Sequence, residues 1–164
     1  MMIAMDLDLD LQIATDAPGL PAESDFTRWA GAALEGHRER AILTIRIVDA
    51  AEGQALNQRF RGQERPTNVL SFPFEAPPGL PGMDGIEDLL GDLVICAPVV
   101  SREAVEQGKS EPAHWAHLVV HGVLHLLGFD HLTEHEAEAM EGLETVILGR
   151  LGFPPPYAEP PVTQ

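Results

Sequence analysis

The segment Pro112 to Leu127 constrains this chain more than any other stretch. It is strongly apolar nearly all the way round, so as a helix it fits only at the centre of a core. Four histidines interrupt that dry surface: His114, His117, His121 and His125. At about 100° per residue they fall within about 80° of one another, on one helix face. A chain of 164 residues is long enough to enclose such a helix, burying roughly 68–70% of its unfolded surface as one domain. With 45% hydrophobic and 22% charged residues, the composition is globular and excludes wholesale disorder.

The elements around that helix follow from periodicity. Asp6 to Ile13 alternates polar and apolar residues, a strand with one wet and one dry face. Phe26, Trp29, Ala30, Ala33 and Leu34 recur at helical spacing, with Ser24 or Asp25 expected as N-cap and Gly36 as the stop. Ala41 to Val48, rich in Ile and Val, is a second strand. Asp49 and Glu52 suggest a capping box opening a helix through Phe60. Asn68 to Phe74 is a third strand, placed near a sheet edge because Pro73 cannot donate a ladder hydrogen bond.

Glu75 to Gly85, with three prolines and three glycines, is a loop long enough to form a flap or a wall beside a substrate. Leu89 to Cys96 is a fourth strand, and Pro98 to Gln107 a helix that begins with proline. Thr133 and Glu136 cap the last helix, whose apolar face is Ala137, Met140, Leu143, Ile147 and Leu151. The expectation is an α+β single domain over 1–152, a four-stranded mixed sheet packed with helices, followed by a Pro-rich tail over 153–164.

Ten Lys+Arg stand against 26 Asp+Glu, a formal charge of −16, which argues against generic, charge-driven nucleic-acid binding. One cysteine, Cys96, excludes an internal disulfide and a multi-cysteine zinc site, and predicts a reducing, cytoplasmic setting. The first ten residues lack a basic start and do not read as a secretory leader. Nowhere do 18 apolar residues run together, so no membrane span and no membrane partner are expected.

The chemistry lies in His121-Gly-Val-Leu-His125-Leu-Leu-Gly128-Phe-Asp-His131. Positions 121 and 125 project one turn apart from the same face and can grip one metal ion. Gly128 can take a positive φ, end the helix and let the chain double back to bring His131 to that ion. A lone histidine on a core helix usually just hydrogen-bonds. Three at this spacing, with a helix-breaking glycine between them, read as ligands. The frame matches that of the metzincin proteases, except that Gly122 stands where those enzymes carry glutamate.

Three histidines hold zinc at about 2.0–2.1 Å and leave the fourth tetrahedral position open, the layout of a catalytic site for one Zn2+. Nickel, copper and cobalt suit the same ligands, so zinc is expected on availability and geometry. His114 and His117 share the face and are candidates for holding ligands, touching substrate or moving a proton, as is Asp130. His37 and His135 read as solvated, Met140 and Cys96 as core.

Peptide hydrolysis needs an acid to protonate the leaving amine, and Gly122 cannot supply one. Phosphodiester cleavage needs charge stabilisation that a metal and a guanidinium provide. Arg59, Arg61 and Arg65 fall within seven positions with one acid, Glu64, among them. Much of the negative charge lies elsewhere, on Asp6, Asp8 and Asp10 and on Glu134, Glu136, Glu138, Glu141 and Glu144 of the last helix. Beyond about 8 Å such charge is largely screened, so a local cationic cleft for RNA is compatible with an acidic whole. Thr67 and Asn68, between the arginines and the edge strand, can grip a substrate or simply start the strand.

At these residues the chain resembles the YbeY family of bacterial rRNA maturation factors, zinc-dependent single-strand endoribonucleases. The resemblance is carried by Leu56-Asn-Gln-Arg-Phe-Arg61, Pro66-Thr-Asn-Val-Leu-Ser-Phe-Pro-Phe-Glu75, Leu90-Gly-Asp-Leu-Val-Ile-Cys96 and the run from His114 to His131. The first forty residues match only in general layout.

The resemblance implies a small α+β domain with a four-stranded sheet, and His121, His125 and His131 as zinc ligands. Arg59 would match an arginine important for activity. Arg61, Arg65, Asn68 and His114 are the further candidates for substrate contact. The implied role is 16S rRNA 3′-end maturation and ribosome quality control in the cytoplasm, with precursor rRNA and ribosomal subunits as partners. Phe129 replaces the usual tyrosine of the family's Gly-Tyr-Asp-His ending, which removes a hydroxyl but no metal ligand. A minimal metzincin-like protease and a non-catalytic, zinc-stabilised ribosome-biogenesis adaptor are the rival readings.

Overall fold

A computed structural model describes residues 6–61, 68–74, 88–129 and 133–156, leaving aside the side chains of 57, 60 and 61. In chain order the elements are β1 (Asp6–Ala14), α1 (Glu23–Leu34), β2 (Arg40–Val48), α2 (Ala50–Arg61), β3 (Val69–Pro73), β4 (Leu89–Cys96), α3 (Ala97–Gln107), α4 (Glu111–Leu126) and α5 (Glu134–Arg150). The four strands form one sheet in the order β1-β2-β4-β3. β1, β2 and β4 run parallel, and β3 pairs antiparallel with β4 at the edge. This is the mixed α+β sheet expected from the sequence, with the proline-ended strand on its rim.

Alternation along the strands divides the interior in two. Ala41, Leu43, Ile45 and Ile47 of β2 join Leu93 and Ile95 of β4 in the main core, with α1, α4 and α5 laid over them. β1 adds Leu7, Leu9 and Leu11 to that face and keeps Asp6, Asp8 and Asp10 in water. The opposite face gathers Val48, Leu70, Val94 and Cys96, with Ala50 and Leu56 of α2 packed on them. Thus α2 lies across the sheet from α4.

Helix α4 is the pivot. Ser110 caps it by accepting the N–H of Ala113 (3.2 Å), and a proline stands in its first turn. Eleven of its residues are buried, as its apolar composition demands. Gly122 touches the sheet so closely that a Cβ there would come within 2.7 Å of Leu93 Cδ2. The helix ends as expected at Gly128, whose φ of 103° lets Gly128 N–H reach His125 O and Phe129 N–H reach Leu124 O, both at 3.0 Å. No helix among the described residues is long and apolar enough to cross a membrane.

Three local expectations change. The N-cap of α1 is Ala22, not Ser24 or Asp25. Asp25 sits one turn in and accepts the Ala22 N–H (3.1 Å), so its carboxylate serves the helix start from inside. The Asp49–Glu52 capping box does not form. Arg46 takes Glu52 through Nε (2.6 Å) and Nη2 (3.0 Å), while Asp49 accepts from the Thr15 hydroxyl. A bidentate guanidinium outcompetes a single backbone N–H. Glu144, counted above among the acids that place negative charge away from the arginines, is 0% exposed. Thr133 does cap α5, accepting the Glu136 N–H (3.1 Å).

Phe153 lies edge-on to Trp29, with ring centroids 6.2 Å apart. The segment 75–85, read from sequence as a flap or wall, lies outside the described residues.

Candidate metal centre

The histidine face of α4 is met from two sides by carboxylates. From α5, Glu144 reaches under the helix and uses both oxygens. His121 Nδ1–H donates to Oε1 (2.5 Å) and His117 Nε2–H to Oε2 (3.2 Å). From α3, Glu103 accepts through Oε1 both His114 Nε2–H (3.0 Å) and the amide of Asn68 (3.0 Å). The first turn of α4 is therefore pinned to α3, and the two turns that follow to α5. These partners are what allow imidazoles to be buried without leaving donors unsatisfied.

A proton on Nδ1 of neutral His121 leaves Nε2 with a free lone pair. That atom stands 3.1 Å from Nε2 of His125. The separation is close to the edge of a tetrahedron with bonds of about 2.0–2.1 Å. A carboxylate behind a histidine, fixing its tautomer and raising its basicity, is the usual support for a metal-binding imidazole. The residues present therefore fit a divalent ion of the zinc type. His117, His121 and Glu144 form a group with ligand atoms all within 4.8 Å of one another, which could itself hold a metal ion. Both Glu144 oxygens are already engaged there, and the carboxylate is wholly buried.

Of the expected ligands, the structure brings His121 and His125 together. His131, Asp130, Arg65 and Thr67 lie outside the described residues, as does the side chain of Arg61. Arg59 is exposed on the last turns of α2, the helix on the opposite face of the sheet. Asn68 spends its amide on the fold: Nδ2 donates to Glu103, and Oδ1 accepts the Val69 N–H (2.6 Å). It nevertheless lines a cleft of about 330 Å³ with Gln107, Lys109, His114, His117 and His121.

His114 is 2% exposed. Burial lowers its pKa below the ordinary value, and the Glu103 carboxylate pulls the other way without prevailing. His37, expected to be solvated, is exposed and meets Phe129 edge-on at 5.5 Å. Met140 and Cys96 are buried, as read.

Sequence reasoning missed two residues, Glu103 and Glu144. For Glu144 a signal existed: with Met140, Ile147, Leu148 and Leu151 it falls at i, i+4, i+7, i+8 and i+11, on the apolar stripe. Glu103 lies among the other polar residues of α3, and its neighbours give no comparable sign.

The sequence pattern of the endoribonuclease YbeY family matches residues 19–152. The endoribonuclease YbeY of Alkalilimnicola ehrlichii is 62% identical over 156 residues, 94% of this chain and 92% of that protein. The solution structure of TM1509 from Thermotoga maritima shares the fold, with a TM-score of 0.57 at 24% identity, covering 93% of this chain and 99% of that one. With one pattern running from the turn before α1 to just past the close of α5, and the histidine helix within it, the chain belongs to the endoribonuclease YbeY family.

Proposed function

We propose that this chain is a zinc-dependent endoribonuclease that cuts single-stranded RNA, its ion held by His121, His125 and His131. The observation that carries the reading is the pair of Nε2 atoms 3.1 Å apart, one of them backed by a buried carboxylate. When bound, zinc supplies Lewis acidity toward a phosphate oxygen. Glu144 fixes the His121 tautomer, and the cleft beside the pair gives a nucleotide chain room to lie. Arg59, Arg61 and Arg65 are proposed to hold phosphates, with Asn68 and His114 at the cleft wall. On the family resemblance, the substrate is the 16S rRNA precursor, met on ribosomal subunits in the cytoplasm during 3′-end maturation and quality control.

Gly122 speaks against the protease reading on more than the missing carboxylate. Its Cβ direction runs into Leu93, so a glutamate there would be driven into the dry helix–sheet contact instead of the cleft.

The test compares zinc-reconstituted protein with its H125A variant on single-stranded RNA, a structured rRNA fragment and an unfolded protein. Wild type is expected to cut the single-stranded RNA, and H125A to lose both zinc and cleavage. Metal-free protein that cuts RNA as fast as the loaded form overturns the mechanism. Cleavage of the unfolded protein instead restores the protease. A folded, zinc-free variant that still supports rRNA processing in cells favours the adaptor. Product end groups separate attack by water from attack by the RNA 2′-OH.

A further inference from the structure

Lys109 follows directly after α3 and was not singled out by any motif. Its backbone is fixed by the close of that helix: Gly108 takes φ 66°, and Lys109 N–H donates to Ala104 O (2.9 Å). The side chain is half-buried and lines the cleft with Asn68, His114, His117 and His121. Among the described lining residues it alone carries a formal positive charge. Burial weakens the hold of its ammonium on the proton, while the fields of Glu103 and Glu144 strengthen it.

Neither acid pairs with it. Both are taken by imidazoles and an amide, and among the described residues Lys109 makes no ion pair. A partly desolvated cation costs free energy, and an anion entering the cleft offsets that cost. A compact ammonium on a flexible stem suits a phosphate oxygen approached from several directions.

We propose that Lys109 is a substrate-binding residue, its ammonium contacting a backbone phosphate of the RNA strand in the cleft beside His121. This rests on the endoribonuclease reading, and the test separates the two. Zinc-loaded wild type, K109Q and K109R are compared for binding of a single-stranded oligoribonucleotide across a salt series, and for cleavage kinetics. K109Q is expected to bind roughly ten-fold more weakly and to flatten the slope of log K against log salt by about 0.7, one phosphate contact on a single strand. Its KM should rise while kcat holds, and K109R should recover most of the slope. A K109Q protein with wild-type affinity and slope overturns the inference. So does one whose only change is a lower melting temperature, the mark of a purely structural lysine. Wild type that neither binds nor cuts RNA fails the parent reading instead.

Discussion

The two faces of α4 obey different rules. Toward the sheet and α1, Trp115, Val119, Gly122, Val123 and Leu126 present a dry surface matched by volume, close enough at Gly122 that a methyl group would overlap Leu93. Toward α3 and α5, His114, His117 and His121 are matched atom to atom, one ring nitrogen of each to a named carboxylate oxygen. A surface held by shape tolerates exchanges that conserve volume. One held by buried hydrogen bonds does not tolerate loss of a single partner, because the survivor keeps its desolvation cost. The same helix therefore carries a permissive face and an exacting one, and the site sits on the exacting one.

The largest test of that contrast is Glu144→Ala. It strands two imidazoles at once, and urea unfolding should show a loss of about 3–5 kcal/mol. Glu144→Gln keeps the volume and one acceptor oxygen, so it should fold while zinc affinity, measured against a chelator, falls about 10–100-fold. A Gln variant that holds zinc as tightly as wild type would show that the carboxylate merely fills space.

Gly122→Ala probes the shape-matched face. The added methyl overlaps Leu93, and the expected cost is about 1–3 kcal/mol in the same assay. Leu93→Val in the same chain should return part of it, since the two side chains share one space. Unchanged stability of the single variant would mean that the sheet yields easily and that the shape rule is weak here.

The contrast also explains what could be read before the fold was known. Periodicity reports which side of an element is dry, so the four strands, the core helix and its stop at Gly128 were all legible. Ligand spacing within one helix is equally local, which is why His121 and His125 could be paired in advance. Partners that arrive from other helices leave no such trace. Glu103 is 11 residues from His114 and Glu144 is 23 from His121, and because each pair spans two different helices no helical period relates its members. Glu144 was visible only as a polar residue in an apolar stripe, and counting it with its acidic neighbours on α5 hid it. The Asp49–Glu52 cap failed for the same reason: Arg46, on the preceding strand, competed for Glu52.

The smallest effect belongs to His114 and separates the outer carboxylate from the inner one. Burial holds this imidazole below its ordinary pKa of 6.5. Nearby Lys109 and His117 push the same way, and Glu103 opposes them. The unfolded chain therefore takes up a proton near pH 6.5 while the folded chain resists it. By linkage, stability is full above that pH and declines as pH falls through the window below it. Measured by urea unfolding from about pH 7.5 to about pH 5.5, wild type should lose more stability than His114→Gln, which has no proton to take up. Glu103→Gln removes the opposing influence, lowers the folded pKa further and should extend the decline to lower pH. If wild type and His114→Gln decline in parallel, the neutral imidazole is not what this part of the exacting face protects.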